Sequence, residues 1–158
     1  MEDEDKYSNE ESKRSEKRMA IKRKVFSNGD TYEGTFKEYH IHGTGRYDYA
    51  NGDWYEGEFS YGLKMGKGTH HFVSGHHYVG EFRGNLMHGY GKYYYPNRDR
   101  YEGEFCKGKQ HGKGTHYYAT GTKFEGTFIN GKESGEGTIY YANGMVDVGL
   151  WEDGIRCK

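Results

Sequence analysis

The sequence has few of the residues that ordinarily build or cross-link a protein interior. Hydrophobic residues make up 32% of its 158 positions, the mean hydropathy is -1.17, and there is a single proline, Pro96. Two cysteines, Cys106 and Cys157, are too few for a disulfide framework, and no apolar run resembles a signal peptide or a membrane span. These absences favour a reducing, intracellular compartment and argue against a conventional aliphatic core.

Aromatic residues and glycine, in contrast, are abundant. The chain has 17 Tyr, 8 Phe, 2 Trp and 26 Gly. A disordered linker of this hydrophilicity would lack such a number of rings. The order of the folded chain is therefore expected to come from packed aromatic side chains.

Charge is balanced over the whole chain but uneven along it. The net charge of -1 gives no electrostatic argument for nucleic acid binding. Residues 13–24 carry seven basic side chains and one acidic residue, Glu16, a local net charge of 7 - 1 = +6. We interpret residues 1–24 as a flexible charged tail. The alternative is that the cations of this tail bind anionic lipid. These cations are Lys13, Arg14, Lys17, Arg18, Lys22, Arg23 and Lys24.

A 23-residue repeat follows the tail. Tyr32-Glu33-Gly34-Thr35-Phe36 recurs in four further copies that begin at Tyr55, Tyr78, Tyr101 and Phe124. A glycine pair follows each copy, then alternating aromatic residues, then a turn signal such as Asn51-Gly52. Each unit therefore predicts a strand, a loop, a second strand and a tight turn. Asn97-Arg98 lacks the turn glycine, so a different turn geometry or a longer loop is expected there.

The alternation within each strand predicts how the unit packs. Side chains two apart share a face of a strand, which places the aromatic residues and the glycines together. Rings are then expected to lie across the glycines of the neighbouring strand. We predict an all-β fold, an elongated, single-layered, twisted antiparallel meander of about eleven strands. Residues 25–151 form this sheet, with five full repeats and a degenerate sixth, and 152–158 form the C-terminal end.

The tandem Tyr-Glu-Gly-Glu-Phe units, each with a later His-Gly-x-Gly such as His111 to Gly114, resemble the MORN repeat (membrane occupation and recognition nexus). Residues 93–99, 111–115 and 119–128 are further similar to the MORN region of radial spoke head proteins of motile cilia. The resemblance implies a scaffold that organises protein assemblies and often forms homodimers. The closer similarity implies radial spoke head subunits as partners and a location in the cytoplasm and cytoskeleton, in the axoneme of a cilium or flagellum.

Rings that are not needed for the core would form an amphipathic groove for a protein partner. The degenerate sixth unit supplies a cap or a dimer edge at Val146, Val148 and Trp151. The predicted partner-binding groove consists of Tyr32, Tyr49, Tyr55, Phe72, Tyr78, Tyr95, Tyr101, Tyr118 and Tyr141.

No pattern predicts catalysis, a metal site or a cofactor. Neighbouring carboxylates such as Glu56 and Glu58 follow from strand alternation, and histidines in one repeat phase, such as His88 and His111, are spaced along the sheet rather than converging. Two hypotheses remain: a protein-binding scaffold, specifically a radial spoke head subunit, and a peripheral membrane or cytoskeletal adaptor that binds anionic phospholipid through its basic tail.

Overall fold

A computed structural model describes residues 20–157 as one sheet of thirteen antiparallel strands, each hydrogen-bonded to the next in sequence order. This part of the chain contains no helix, and therefore none that is long and apolar enough to cross a membrane. The strands are β1 (Lys22–Val25), β2 (Thr31–Lys37), β3 (His40–Asp48), β4 (Trp54–Ser60), β5 (Leu63–His71), β6 (His77–Arg83), β7 (Leu86–Tyr94), β8 (Arg100–Cys106), β9 (Lys109–Tyr117), β10 (Lys123–Ile129), β11 (Lys132–Tyr140), β12 (Val146–Glu152) and β13 (Ile155–Cys157).

The predicted meander is confirmed, with thirteen strands rather than about eleven. The two additional strands come from segments that were predicted to lie outside the sheet. β1 begins at Lys22, inside the predicted tail, and β13 is formed by residues of the predicted C-terminal end. Short segments of this kind become strands because an exposed strand edge offers them unpaired backbone donors and acceptors.

The tight turns between repeats share one geometry. In five of the six, a glycine with positive φ donates its amide to the carbonyl three residues earlier, as Gly75 does to Phe72 at 2.9 Å. Arg98 adopts the same left-handed conformation (φ 72°) and donates to Tyr95 at 3.1 Å. The expectation of a different turn at Asn97-Arg98 was therefore wrong, because the surrounding hairpin imposes this conformation even on a non-glycine residue.

A β-bulge interrupts the pairing within the repeats, directly after the glycine of the Tyr-Glu-Gly-Glu-Phe motif. The backbone amide of Tyr90 is there satisfied by a side chain, since it donates to Oε2 of Glu81 at 2.7 Å. Glu58 and Glu104 make the equivalent bond in their own repeats. The second glutamate of the motif therefore stabilises the bulge.

One face of the sheet is covered by its own aromatic rings, which form a continuous series of edge-to-face contacts with centroids 4.9 to 5.6 Å apart. We call this series the ring ladder. It replaces a conventional interior, since its members are almost the whole buried core. In spatial order the ring ladder runs Tyr32, Phe59, Tyr55, Phe82, Tyr78, Phe105, Tyr101, Phe128, Phe124 and Trp151.

Glycine makes room for the ring ladder. Gly80 and Gly91 face each other across β6 and β7, and the ring of Tyr78 lies over them. The Tyr78 hydroxyl donates to the carbonyl of Glu81 at 2.8 Å. The prediction that rings lie across glycines is confirmed, and the cross-strand glycine pairs continue through the sheet from Gly34 to Gly149.

Candidate protein-binding surface

The opposite face, which we call the polar face, has no second layer of described residues above it. Each strand contributes alternate side chains to it, such as Trp54, Glu56 and Glu58 from β4. Three shallow depressions, with volumes of about 710, 690 and 660 Å³, lie along this face, and glycines of the cross-strand pairs contribute to all three. The polar face is therefore an open surface on which an extended segment of another protein would fit.

A row of half-buried side chains runs along one side of the polar face. Each member is the cross-strand neighbour of the next, and we call it the stacked row. The rings of Trp54, His71, His77 and Tyr94 are nearly parallel, with successive centroids 4.0, 4.9 and 4.2 Å apart. Further along, the guanidinium of Arg100 lies 3.8 Å from the ring centroid of Tyr117. Such contacts fix the side chains in extended, parallel positions.

The polar face changes character at its C-terminal end. Where β10 presents Lys123, Glu125 and Thr127, the equivalent positions of β12 are apolar. We define the apolar end patch as Val146, Val148 and Leu150 of β12 with Ile155 of β13, whose exposed fractions are 58%, 58%, 54% and 71%. Apolar side chains gathered on an otherwise charged surface are typical of a protein contact.

The four tyrosines that begin the repeats, Tyr32, Tyr55, Tyr78 and Tyr101, have no exposed surface. Their predicted place in a partner-binding groove needs correction, because these rings form the ring ladder and cannot touch another molecule. Burial raises the pKa of Tyr32 to about 12, despite an opposing hydrogen bond with Thr35, and also raises the pKa of the other three.

The other predicted groove residues lie nearer the inter-repeat turns. Tyr49, Phe72 and Tyr95 are half-buried, whereas Tyr118 and Tyr141 are 37% and 38% exposed. Four of them form a second aromatic row beside the ring ladder, in which His70 lies between Tyr49 and Phe72 and His116 lies between Tyr95 and Tyr118; Tyr49 lies 5.6 Å from His70. The role of these five residues in binding stays a prediction.

The three residues predicted to form a cap or dimer edge lie in two different places in the structure. Trp151 is 8% exposed and packs edge-to-face against Phe124 at 4.9 Å, so it closes the ring ladder. Val146 and Val148 belong to the apolar end patch, on the polar face. β12 is not the edge of the described sheet, because β13 pairs with it.

The predicted basic tail is also divided. Lys22, Arg23 and Lys24 are exposed members of β1. Lys13, Arg14, Lys17 and Arg18 lie outside the described residues.

Two pairs of side chains that the sequence patterns did not reveal each join an aspartate of an inter-repeat turn to a histidine of a strand. Nε2 of His70 lies 3.3 Å from Oδ2 of Asp53, and Nε2 of His116 lies 3.1 Å from Oδ2 of Asp99. Both pairs are 17 residues apart, and this repeated spacing was the available signal. Within residues 20–157, no three His, Cys, Asp or Glu side chains converge as they would around a metal ion.

Comparison with known proteins gives a family match and a similarity of fold. The MORN repeat family model matches residues 32–54, 55–77, 78–100, 101–123 and 124–146. No curated protein sequence matches.

Among solved structures, the TCP domain of SAS-4 (dCPAP) from Drosophila melanogaster, in complex with a proline-rich motif of Ana2 (dSTIL), is similar with a TM-score of 0.55 and 17% identity, over 83% of this chain and 72% of that chain. A mutant TCP10 domain of Danio rerio CPAP has a TM-score of 0.39 and 15% identity, over 82% and 72% of the respective chains.

Proposed function

Because this chain belongs to the MORN-repeat family, we propose that it is a non-catalytic scaffold that holds another protein on the polar face of its sheet. The observation that carries the proposal is the asymmetry of the single layer. Within residues 20–157, the ring ladder covers one face, whereas the other face is not covered and ends in the apolar end patch. An extended segment laid along the depressions would contact the stacked row and bury this patch.

The specific assembly that we propose is the radial spoke head of a motile cilium or flagellum, with other spoke head subunits as partners. The support is the resemblance of residues 93–99, 111–115 and 119–128 to the MORN region of radial spoke head proteins. The proposal of an extended peptide as ligand is supported by a protein of similar fold, since the SAS-4 domain binds a proline-rich motif. Location in the axoneme follows from this proposal.

The test is a capture experiment with a matched pair of variants. Tagged protein from ciliated cells is purified at high and low salt, and the associated chains are identified. Val148→Lys places a charge in the apolar end patch, and Val73→Lys places one on a turn side chain that is 69% exposed. We expect spoke head subunits to be retained at high salt, lost with Val148→Lys and kept with Val73→Lys.

The scaffold function and the spoke head assignment can be refuted independently of each other. Recovery of partners that contain no axonemal protein, but that Val148→Lys still releases, would refute the spoke head assignment and leave the scaffold. Equal binding by both variants would refute the use of the polar face. Light scattering of the purified protein tests whether the partner is a second copy of this chain. A homodimer that Val148→Lys dissociates would mean that the second copy covers the apolar end patch.

A second function is favoured by the three exposed cations of β1, which would bind anionic lipid as part of a peripheral membrane adaptor. Vesicles with and without phosphatidylserine are co-sedimented with the intact chain and with Lys22→Gln, Arg23→Gln and Lys24→Gln combined. Binding that needs the anionic lipid, falls with salt and is lost in the variant supports the adaptor. Equal sedimentation of both proteins contradicts it.

A further inference from the structure

Lys64 stands where the other repeats have an unreactive side chain. It belongs to β5 and is half-buried on the aromatic side of the sheet. The equivalent residues are Ile41, Met87, Gln110 and Glu133. The Lys64 Nζ lies 5.6, 5.3 and 5.4 Å from the ring centroids of Tyr49, Tyr55 and Phe82. Three aromatic rings therefore surround an amine that on an exposed lysine would be hydrated.

A histidine and an aspartate extend from this amine. Nζ of Lys64 lies 3.3 Å from Nδ1 of His70, which is 7% exposed. Nε2 of the same imidazole lies 3.3 Å from the Asp53 carboxylate. An ionised carboxylate only accepts hydrogen bonds, so Nε2 carries the proton and Nδ1 presents its lone pair to the lysine. Asp53 is held by a second bond, from the amide of Val73 to Oδ1 at 2.9 Å.

Burial opposes a charge on both the amine and the imidazole, whereas Asp53 and the cation–π contacts of the amine favour one. Burial lowers the pKa of Lys64, with the charge of Asp53 opposing, and burial together with the Lys64 charge lowers the pKa of His70. Burial alone would raise the pKa of Asp53, but hydrogen bonds from Val73 and His70 leave it lowered. Two further ionisable side chains, Tyr49 and Tyr55, face the amine through their rings, and His71 adds a weaker repulsion of charge at His70.

We propose that Lys64 is a self-activated modification site, at which the amine is acylated by a reactive acyl thioester in preference to the other lysines of the chain. The neutral Nζ attacks the thioester carbonyl and forms the amide bond, while the carbon–sulfur bond breaks and the thiolate leaves. The proton lost from nitrogen passes to Nδ1 of His70, and Asp53 stabilises the imidazolium. The arrangement is that of an activated nucleophile, a base and a group that orients the base.

The repeats supply matched controls. The second aspartate–histidine pair, Asp99 and His116, has Gln110 at the position of Lys64, so Gln110→Lys would add a lysine beside an intact pair. Met87→Lys would add one at the same phase of a repeat in which Tyr93 replaces the histidine. His70→Tyr removes the base and installs the residue that two other repeats carry there, Tyr47 and Tyr93.

The probe is S-acetyl-N-acetylcysteamine at pH 7.4, with the acetylation rate of each lysine followed by peptide mass spectrometry. Lys64 should react about tenfold faster than the exposed lysines or more, because proton transfer to a positioned general base such as His70 contributes about 10²–10⁴-fold. His70→Tyr should reduce the rate at Lys64 to that of the exposed lysines, while circular dichroism confirms the fold. The lysine introduced by Gln110→Lys should react fast and the one introduced by Met87→Lys slowly.

Three results overturn the proposal. The first is a Lys64 rate no greater than that of exposed Lys67 or Lys107. The second is an unchanged Lys64 rate in folded His70→Tyr. The third is equal reactivity of the two introduced lysines, which would mean that the rings rather than the histidine pair set the rate.

Discussion

Replacing Gly91 by alanine tests the packing on which the whole sheet depends. An ideal Cβ on Gly91 would lie 2.5 Å from Cζ of the Tyr78 ring, whereas carbon atoms in contact are about 3.5–4.0 Å apart. Because Gly91 lies in a regular strand and has no positive φ, alanine meets no backbone penalty there. The cost of the substitution therefore comes from moving a ring that has no exposed surface.

The magnitude follows from the contacts of that ring. A shift of about 1 Å would stretch the hydrogen bond from the Tyr78 hydroxyl to Glu81, worth about 1 kcal/mol. It would also disturb two edge-to-face contacts, with Phe82 at 5.1 Å and Phe105 at 5.0 Å, each worth about 0.5–1.5 kcal/mol. We expect Gly91→Ala to lower the free energy of unfolding by about 3 kcal/mol, near the upper end for an overpacked site.

The assay is urea unfolding, followed by both circular dichroism and tryptophan fluorescence. Gly131→Ala is the control, since no atom lies within 4 Å of the position that its Cβ would take but its φ is +84°; its cost of about 1 kcal/mol would be conformational. In a Tyr78→Leu background the cost of Gly91→Ala should fall below about 1 kcal/mol. An unchanged unfolding midpoint for Gly91→Ala, or the same cost with and without the ring, would refute the reasoning.

Further predictions concern single groups of the repeat. Tyr101→Phe should cost about 1 kcal/mol of unfolding free energy, because it loses the 2.9 Å bond to the Glu104 carbonyl, and a cost of zero in urea titration would contradict this. Glu81→Gln should cost about 1 kcal/mol by weakening the bond to the Tyr90 amide, whereas Glu136→Gln, on an exposed side chain, should be neutral. Burial raises the pKa of the four buried repeat tyrosines, so these tyrosines ionise in the unfolded chain at a lower pH than in the folded one. Their contribution to stability should therefore be complete below about pH 10 and decline above it. Thermal melts from pH 8 to 11 that show no decline would exclude this.

Two periods in the sequence were sufficient to predict most of the fold. The alternation of two placed Tyr32 and Gly34 on one face and Glu33 on the other, and the 23-residue spacing placed equivalent strands at equal intervals. Both are local properties of a strand or of one hairpin, so they can be read without knowledge of distant contacts. The ring-over-glycine packing followed from them, because only glycine leaves room for a ring on that face.

The candidate site was harder to predict, since it depends on which rings are buried in the core. The sequence alone could not separate Tyr55, which is fully buried, from Tyr118, which is exposed at the end of a strand, because both are aromatic residues in phase with the repeat. Val148 was predicted to lie at a cap or dimer edge, and the sequence did not predict β13, the strand that pairs with β12 and separates Val148 from the edge of the described sheet.

The sequence by itself determined the strands of the repeats, their order, most of the turns and the division into an aromatic and a polar face. Only the tertiary structure decided which face stays open, and which side chains from different hairpins meet. Lys64 and His70 share a strand, but Asp53 precedes them by a turn and a full strand, and Phe82 follows in the next. Such neighbours depend on the register between strands, which the bulges and the packed rings establish together.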